Sequence, residues 1–237
     1  MPCSVTKNLQ IVNGSIGDYR KLSRFHYRSS RLVAYSSIFA LRYGCETAGV
    51  IVYTMPFAGV ELRRVAVGDI FIGLDRRTQL SVINKNIRCI SRVIIEPRFR
   101  GLSLAAELVR QTMARLNIPI IEGLSVMGHV NSFFDRAGMS RYEAGQSLQF
   151  VRLQQALSSI GIESDNISDT DVLHRRFEAL RPRQKRFIES EIGIFLCRYG
   201  KSRNMPPGRR RTEFVLSKLT ARPVYYVWFN PEIEMII

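Results

Sequence analysis

Short apolar segments alternate with polar, glycine-containing connections along most of the chain. β-Branched and aromatic residues dominate these segments, which is typical of strands. We therefore predict strands at 33–43, 49–55, 87–95, 118–126, 140–144 and 224–229. A short gap that contains Gly44-Cys45-Glu46 separates the first two, which are predicted to form a β-hairpin.

Other stretches have helical spacing. From Leu102 to Leu116, apolar residues recur on one face and charged residues on the other, which predicts an amphipathic helix. A short helix is predicted at 131–137, with Asn131 at a cap-like position. Residues 57–85 have a mixed pattern that would suit either an amphipathic helix or a substrate loop.

The order of these elements predicts an α/β fold with a mixed central sheet flanked by helices. We expect a loose leader at 1–17, a core at 18–149 and a basic, mainly helical insertion at 150–222. Residues 223–230 would then return to complete the sheet. The alternative is an independent C-terminal domain, with residues 147–153 closing the sheet instead.

Charge changes the picture of possible partners. The chain has 237 residues, is 46% hydrophobic and can bury a sizeable core. It carries 35 Lys and Arg residues against 20 Asp and Glu residues, a net charge of +15. Such a balance suits nucleic acid, an anionic cofactor or an anionic membrane surface. The alternative is a solvated basic surface without a partner.

Cysteine and histidine usage argues against metal and disulfide chemistry. None of Cys3, Cys45, Cys89 and Cys197 forms a C-x-x-C pair, and the chain has only 3 His. We expect no metal site, and reduced thiols in a cytoplasmic protein. No apolar run is long enough for a signal peptide or a membrane span, so no membrane partner is expected.

Most of the net positive charge lies in one stretch. Residues 171–222 hold 14 Lys and Arg against 5 Asp and Glu, a net charge of +9 out of +15. The predicted phosphate-contacting residues are Arg175, Arg176, Arg183, Lys185, Arg186, Arg209, Arg210 and Arg211. Phe187, Phe195 and Tyr199 lie among them at the spacing of one helix face, which favours core packing over base contact.

Candidate chemistry concentrates in residues 92–105. A strand ends at Glu96-Pro97, a basic turn with Gly101 follows, and a helix begins at once. This layout directs unpaired backbone N–H groups and the positive end of a helix dipole at one place, which suits an anion.

Two motifs carry a family resemblance. The string Val93-Ile-Ile-Glu-Pro-Arg-Phe-Arg-Gly101 and, after a further helix and strand, Asn131-Ser-Phe-Phe-Asp-Arg-Ala-Gly-Met139 are similar to motifs of GNAT acetyltransferases. The likeness covers roughly 30–145 and 223–230. This resemblance implies that the chain is a divergent member of the GNAT superfamily. It would then have a GNAT-like mixed sheet and use acetyl-CoA, or another acyl-CoA, as cofactor.

The resemblance implies two splayed parallel strands, 87–95 and 118–126, with the pantetheine arm between them. The cofactor-binding residues would be Val93, Ile94, Ile95, Arg98, Arg100, Gly101, Leu102, Ser103, Leu104, Ala105, Asn131, Phe133 and Phe134.

Two positions depart from the family pattern. Ser103 stands where the family usually has a glycine, and Phe134 where many relatives have a tyrosine that protonates the leaving thiolate. Tyr142, Tyr225 and Tyr226 are the candidates to replace that tyrosine.

Attack by an amine requires a base. Glu96, Glu122 and His26 are the candidates, and Tyr142 completes the predicted catalytic set. Glu96 could equally form an ion pair with Arg98, Glu122 could be a solvated charge at a strand end, and His26 a surface or packed histidine.

Three functions follow as expectations. The first is an acyl-CoA-dependent N-acyltransferase whose acceptor is a nucleic acid, a nucleic-acid-associated protein or another amine. The alternative is a GNAT-like protein that modifies DNA or binds nucleic acid without ordinary acetyl transfer. The third is a structural or interaction protein with a decayed site, in keeping with Ser103 and Phe134. Phe25-His26-Tyr27-Arg28-Ser29 is faintly similar to a His-Tyr-Ser run in phage Mom-type DNA base modifiers.

Overall fold

The computed structural model describes residues 8–26, 32, 34–71, 73–126, 128–143, 145, 147–163, 169–220 and 223–236. The chain divides into two compact units. One, the sheet unit, comprises the residues up to Glu143 together with those from Pro223 onward. The other, the helical unit, comprises residues 144–222.

The sheet unit is an α/β structure. Within the described residues, seven strands form one mixed sheet in the order β1-β2-β3-β4-β5-β7-β6. All neighbours pair antiparallel except β4 and β5, which are parallel. The strands are β1 (Leu9–Asn13), β2 (Tyr35–Tyr43), β3 (Glu46–Thr54), β4 (Ile87–Ile95), β5 (Ile120–Ser125), β6 (Ser140–Glu143) and β7 (Val224–Phe229).

Helices cover both faces of this sheet. They are α1 (Ile16–Leu22), α2 (Glu61–Val67), α3 (Arg76–Asn86), α4 (Leu104–Met113) and α5 (Phe133–Arg136). Single 3-10 turns lie at Ser23–Phe25, Pro97–Phe99 and Ala114–Leu116.

The main core lies between the sheet and α4. Leu108 and Val109 of α4 are fully buried with Ile51 and Tyr53 of β3 in one apolar cluster. The Tyr53 hydroxyl lies 2.7 Å from the hydroxyl of Thr112, so the one polar atom of this aromatic side chain is satisfied.

The opposite face is covered by α1, α2 and α3. Tyr19 and Leu22 of α1 pack on Val50 and Val52 of β3. A second cluster on this face joins Leu62 and Val67 of α2, Ile83 of α3, Ile120 of β5 and Tyr225 of β7.

The predicted leader is wrong from Leu9 onward. Leu9–Asn13 is an edge strand that pairs antiparallel with β2. Ser15 then starts α1 through a capping box, in which its side chain accepts from the N–H of Asp18 and the Asp18 carboxylate accepts from the N–H of Ser15. Residues 57–85, left open by the sequence, hold α2 and α3.

The sheet is completed by the distant strand. β4 and β7 have the predicted bounds, and β7 lies between β5 and β6. The alternative closure by residues 147–153 is wrong, because Ser147 caps a helix that runs through Leu148–Ser158.

The helical unit has its own core. Its helices are α6 (Leu148–Ser158), α7 (Thr170–Glu178), α8 (Pro182–Leu196) and α9 (Arg209–Thr220), with a 3-10 turn at Gly200–Asn204. The core is formed by Leu153 and Leu157, Leu173 and Phe177, Ile188, Ile192 and Phe195, and Val215 and Leu219.

Candidate ligand-binding cavity

The sheet opens between its two parallel strands. β4 and β5 pair over four positions, from Ile87 opposite Ile120 to Ile90 opposite Gly123. Beyond them, β4 pairs only with β3, and the last residues of β5 pair only with β7. Because successive backbone groups of a strand point to opposite sides, half of those in residues 91–95 face the gap.

An irregularity in β4 accompanies this opening. Val52 of β3 pairs with Arg92, and the next residue, Tyr53, pairs with Ile90, so Ser91 is an extra residue in the register. Bulges of this kind bend a strand and increase its local twist. The bulge therefore helps β4 to diverge from β5.

A cavity of about 450 Å³ lies at this opening. That volume is in the range of small-molecule and cofactor sites. The walls are formed by the end of β4, the start of α4, the end of β5, the α5 segment and the turn that follows α1. The lining residues are Phe25, His26, Ile90, Ser91, Arg92, Val93, Ile94, Ile95, Phe99, Arg100, Gly101, Ser103, Leu104, Ala105, Leu124, Ser125, Asn131, Phe133, Phe134 and Arg136.

The charge of this lining is of one sign. Arg92, Arg100 and Arg136 line the cavity, and no Asp or Glu is among its described lining residues. Three guanidinium groups without a carboxylate favour an anionic ligand.

The loop before α4 adds backbone donors. Gly101 has φ +84° and Ser103 has φ +57°, both in the left-handed region. Ser103 is the N-cap residue of α4, and its side chain makes no capping hydrogen bond. The first N–H groups of α4 have no acceptor within the helix, so they are available to a ligand in the cavity.

Arg100 is held beside this loop. Its Nε donates to the carbonyl oxygen of Ile95 at 3.1 Å. The contact ties the side chain to the end of β4.

Most predicted cofactor-binding residues come together here. They are Val93, Ile94, Ile95, Arg100, Gly101, Ser103, Leu104, Ala105, Asn131, Phe133 and Phe134. Asn131 does not cap α5, as its position suggested, because Ser132 is the N-cap residue and makes no side-chain cap.

Arg98 and Leu102 do not line the cavity. The Arg98 guanidinium contacts Glu96 at 3.1 Å and Glu46 at 2.9 Å, so two carboxylates already neutralise it. Leu102 lines a neighbouring cavity of about 320 Å³ beside β1.

Glu96 is also outside the cavity lining. Both of its carboxylate oxygens accept from Nε of Arg98 at 3.1 Å. The alternative reading of Glu96, an ion pair with Arg98, is confirmed.

Glu122 is neither a solvated charge nor a cavity residue. Its side chain is 1% exposed and that of Arg63, on α2, is 3% exposed. Nε and Nη2 of Arg63 donate to the two carboxylate oxygens at 2.8 and 2.7 Å. The Tyr225 hydroxyl donates to the same carboxylate at 2.8 Å.

This buried cluster shifts the pKa values of its members. Burial would lower the pKa of Arg63, but hydrogen bonds and charge from Glu122 raise it. Burial, with the negative charge of Glu122, raises the pKa of Tyr225. The same two causes raise the pKa of the neighbouring Cys89 to about 12.

None of the three tyrosine candidates lines the cavity. Tyr142 packs beside Tyr225, with ring centroids 6.4 Å apart. The ring centroid of Tyr226 lies 4.9 Å from that of Phe134. The Tyr226 hydroxyl donates to the carboxylate of Asp135 at 3.1 Å. Burial is the main cause that raises the pKa of Tyr226 to about 12, and the hydrogen bond and negative charge of Asp135 contribute next.

His26 is the predicted catalytic residue that does line the cavity. It follows the 3-10 turn Ser23–Phe25, which contacts β4. Residues 27–29 of the faint His-Tyr-Ser likeness lie outside the described residues.

The sequence reading missed several lining residues. Ser91 and Arg92 are a polar pair inside an otherwise mostly apolar strand, and that interruption was an available signal. Ser125 and Arg136 belong to segments already assigned to the site, but no pattern singled them out.

The predicted nucleic-acid residues divide into two groups. Arg209 pairs with Asp171, Arg211 with Glu189 and Lys185 with Glu178. Arg175 and Arg176 donate to the backbone carbonyls of Asp171 and Gly161. In the part of the chain that the structure describes, Arg183, Arg186 and Arg210 form no ion pair or side-chain hydrogen bond.

Among the described residues, no group of three or more His, Cys, Asp and Glu could hold a metal ion. No described helix is both long and apolar enough to cross a membrane.

No protein-family model matches the chain, and no curated protein matches it at a significant level. The cavity therefore has to be interpreted from its own chemistry.

Proposed function

We propose that this protein is a GNAT-type N-acyltransferase that moves an acyl group, in the simplest case acetyl, from coenzyme A to an amine. One observation carries the proposal: the parallel strands β4 and β5 part at a cavity whose charged lining residues, among those that the structure describes, are all arginines. Coenzyme A is a long polyanion, which requires both an extended groove and positive charge.

The parts of the cavity suit the parts of that molecule. The loop from Gly101 to Ala105, with its backbone donors and Arg100, would hold the pyrophosphate. The open edge of β4 at residues 93–95 would offer backbone partners to the amide groups of pantetheine. Phe133 and Phe134 would form the apolar wall beside the arm.

The acyl thioester supplies an activated carbonyl carbon, whose bond to sulfur breaks as the bond to the amine nitrogen forms. His26 would accept the proton released from that nitrogen. Glu96 and Glu122 do not line the cavity and form ion pairs with Arg98 and Arg63. Ser125 and Asn131 would provide polar contacts on the β5 side of the opening.

Both departures from the GNAT pattern are compatible with this proposal. Ser103 adopts the left-handed conformation that a glycine at this position would adopt. Phe134 cannot protonate the leaving thiolate, and Tyr142, Tyr225 and Tyr226 do not reach the cavity, so the thiolate would take its proton from water.

A second function is favoured by the net charge of +15. The acceptor would then be a nucleic acid or a nucleic-acid-associated amine, or the protein would modify or bind nucleic acid without acetyl transfer. The presence of Phe25 and His26 at the cavity supports an aromatic-lined acceptor end.

The first test is binding of acetyl-CoA, measured by calorimetry and by thermal shift. Saturating acetyl-CoA at one hundred times its Kd should stabilise the fold by about 2.7 kcal/mol. Arg100→Glu should abolish the shift. Arg110→Glu, with the same charge change on an exposed position of α4 that does not line the cavity, should retain it.

The second test is turnover. His26→Asn should keep acetyl-CoA binding but lower thiol release in the presence of an amine acceptor. Absence of binding to the wild-type protein at millimolar acetyl-CoA would overturn the proposal.

A further inference from the structure

The outer face of α8 in the helical unit differs from an ordinary solvated face. One side of α8 is buried in the core through Ile188, Ile192 and Phe195. The other side is exposed, and residues at positions i, i+4, i+7 and i+11 of a helix share one face. Four exposed residues of α8 have this spacing, and exposed Arg186 lies beside them at i+3. Together these five form what is here called the α8 face: Arg183, Arg186, Phe187, Ser190 and Ile194.

Its two arginines are not explained by the fold. Among the described residues, neither Arg183 nor Arg186 forms an ion pair, whereas the neighbouring Lys185 pairs with Glu178. Both lie near the start of α8, whose first turn holds no acidic residue. Positive charge there opposes the helix dipole, so these residues do not serve helix stability.

The aromatic residue is also unexplained by packing. Its spacing predicted that Phe187 would be a core residue, and Phe195 is indeed fully buried, but Phe187 is 47% exposed. The prediction is therefore wrong for Phe187. An exposed ring that follows Arg186 directly in sequence and lies one helical turn from Arg183 is a surface on which a nucleobase can stack.

We propose that the α8 face binds single-stranded nucleic acid, with Arg183 and Arg186 on successive phosphates and Phe187 stacked against a base. A duplex keeps its bases stacked on one another, so it could use the arginines but not the ring. This inference is independent of acyl transfer and would stand if the cavity bound no acyl-CoA.

A membrane surface suits this face less well. A helix that lies on a bilayer needs a wide apolar face directed outward. The apolar side of α8 is buried in its own unit, and the outer face offers only Phe187 and Ile194.

The test is fluorescence anisotropy of the full-length chain with labelled oligothymidylate and with a duplex of equal length, at several salt concentrations. Arg183→Ala/Arg186→Ala should reduce the slope of log K against log salt by roughly 1.4 for the single strand, at ~0.7 for each phosphate. The matched control Arg76→Ala/Arg77→Ala removes the same charge from exposed positions of α3 and should leave the slope unchanged.

Phe187→Ala should weaken single-strand binding about 5- to 150-fold and leave duplex binding almost unchanged. Phe187→Tyr should retain single-strand affinity, because the ring remains. Phe57→Ala, at another exposed phenylalanine, should have no effect.

Three results would overturn the inference. The first is an unchanged salt slope in the arginine variant, and the second is an equal loss of single-strand and duplex affinity in Phe187→Ala. The third is binding to phosphatidylserine vesicles or to polyglutamate that is as tight as binding to the single strand and is weakened by the same variants. Circular dichroism of each variant checks folding, which these exposed positions should not disturb.

Discussion

Arg63 and Glu122 lie 59 positions apart in the chain and form a bidentate ion pair that is almost completely buried. The same guanidinium donates to the carbonyl oxygens of Phe57 and Ala58 at 2.6 and 3.3 Å. Arg63, in the first turn of α2, thus connects this helix to β5 and to the loop before α2 through hydrogen bonds. Glu122 is in this way a structural residue, one position before Gly123, where the pairing of β4 and β5 ends.

Removing one partner of this pair should be costly. Arg63→Ala leaves the Glu122 carboxylate buried without its counter-ion, and we expect a loss of about 3–5 kcal/mol in the free energy of unfolding. Urea denaturation checks this. The adjacent Arg64 is exposed and pairs with exposed Asp69, so Arg64→Ala should change stability by less than about 1 kcal/mol. Equal midpoints for the two variants would contradict the structural role.

The backbone at Ser103 gives a second prediction. Its φ of +57° is unfavourable for residues with a Cβ atom, so Ser103→Gly should be neutral or stabilising by up to about 1 kcal/mol. Ser103→Val should destabilise, because a β-branched side chain tolerates this conformation poorly. Thermal melts of the two variants decide the point, and a more stable valine variant would refute it.

Buried tyrosines predict a loss of stability at alkaline pH. The pKa of Tyr226 is raised from 10.0 to about 12, by burial first and by Asp135 second. Its stabilising contribution is fully present below pH 10 and is lost as the pH rises towards 12, since the unfolded chain releases the proton first.

Urea midpoints between pH 8 and pH 11 test this prediction. Tyr226→Phe should lower stability near neutral pH, where its bond to Asp135 is lost, yet flatten the decline above pH 10. The exposed Tyr35 supplies the control, since Tyr35→Phe should leave the decline as steep as in the wild type.

The cysteines should differ in reactivity. Cys45 and Cys197 are exposed, whereas Cys89 is buried, with its pKa raised to about 12 by burial and by Glu122. Iodoacetamide at pH 8 should modify Cys45 and Cys197 and spare Cys89, because the thiolate is the reactive form. Peptide mass mapping reads this out, and denaturant should remove the protection. Rapid modification of Cys89 in the native protein would contradict its placement.

The sequence predicted best where a pattern is local and repeated. β4 and β7 are continuous apolar strings, and both have the predicted bounds. β1 was missed because five residues at a sheet edge alternate only weakly, and pairing with β2 rather than intrinsic propensity defines the strand. The positions of α2 and α3 were left open because their apolar faces are short.

At the site, residues that belong to one continuous stretch of sequence could be predicted. Residues that come from distant parts of the chain and contact one another only in the fold could not. The loop from Arg100 to Ala105 lines the cavity almost throughout, because its geometry follows from one stretch of chain. Nothing local to Glu122 indicates that Arg63 neutralises it. Phe187 has the helical spacing of Phe195, and only the packing of α8 against its neighbours decides which ring is buried.

The position of β7 between β5 and β6 has a consequence for synthesis. β6 pairs with β7 alone, and β7 follows residues 144–222 in the chain. At ~5–20 residues per second, a ribosome needs about 4–16 s to make that stretch. During this interval the growing chain carries β5 with an open edge, and the helical unit, which has a core of its own, has time to fold before the strand that closes the sheet emerges.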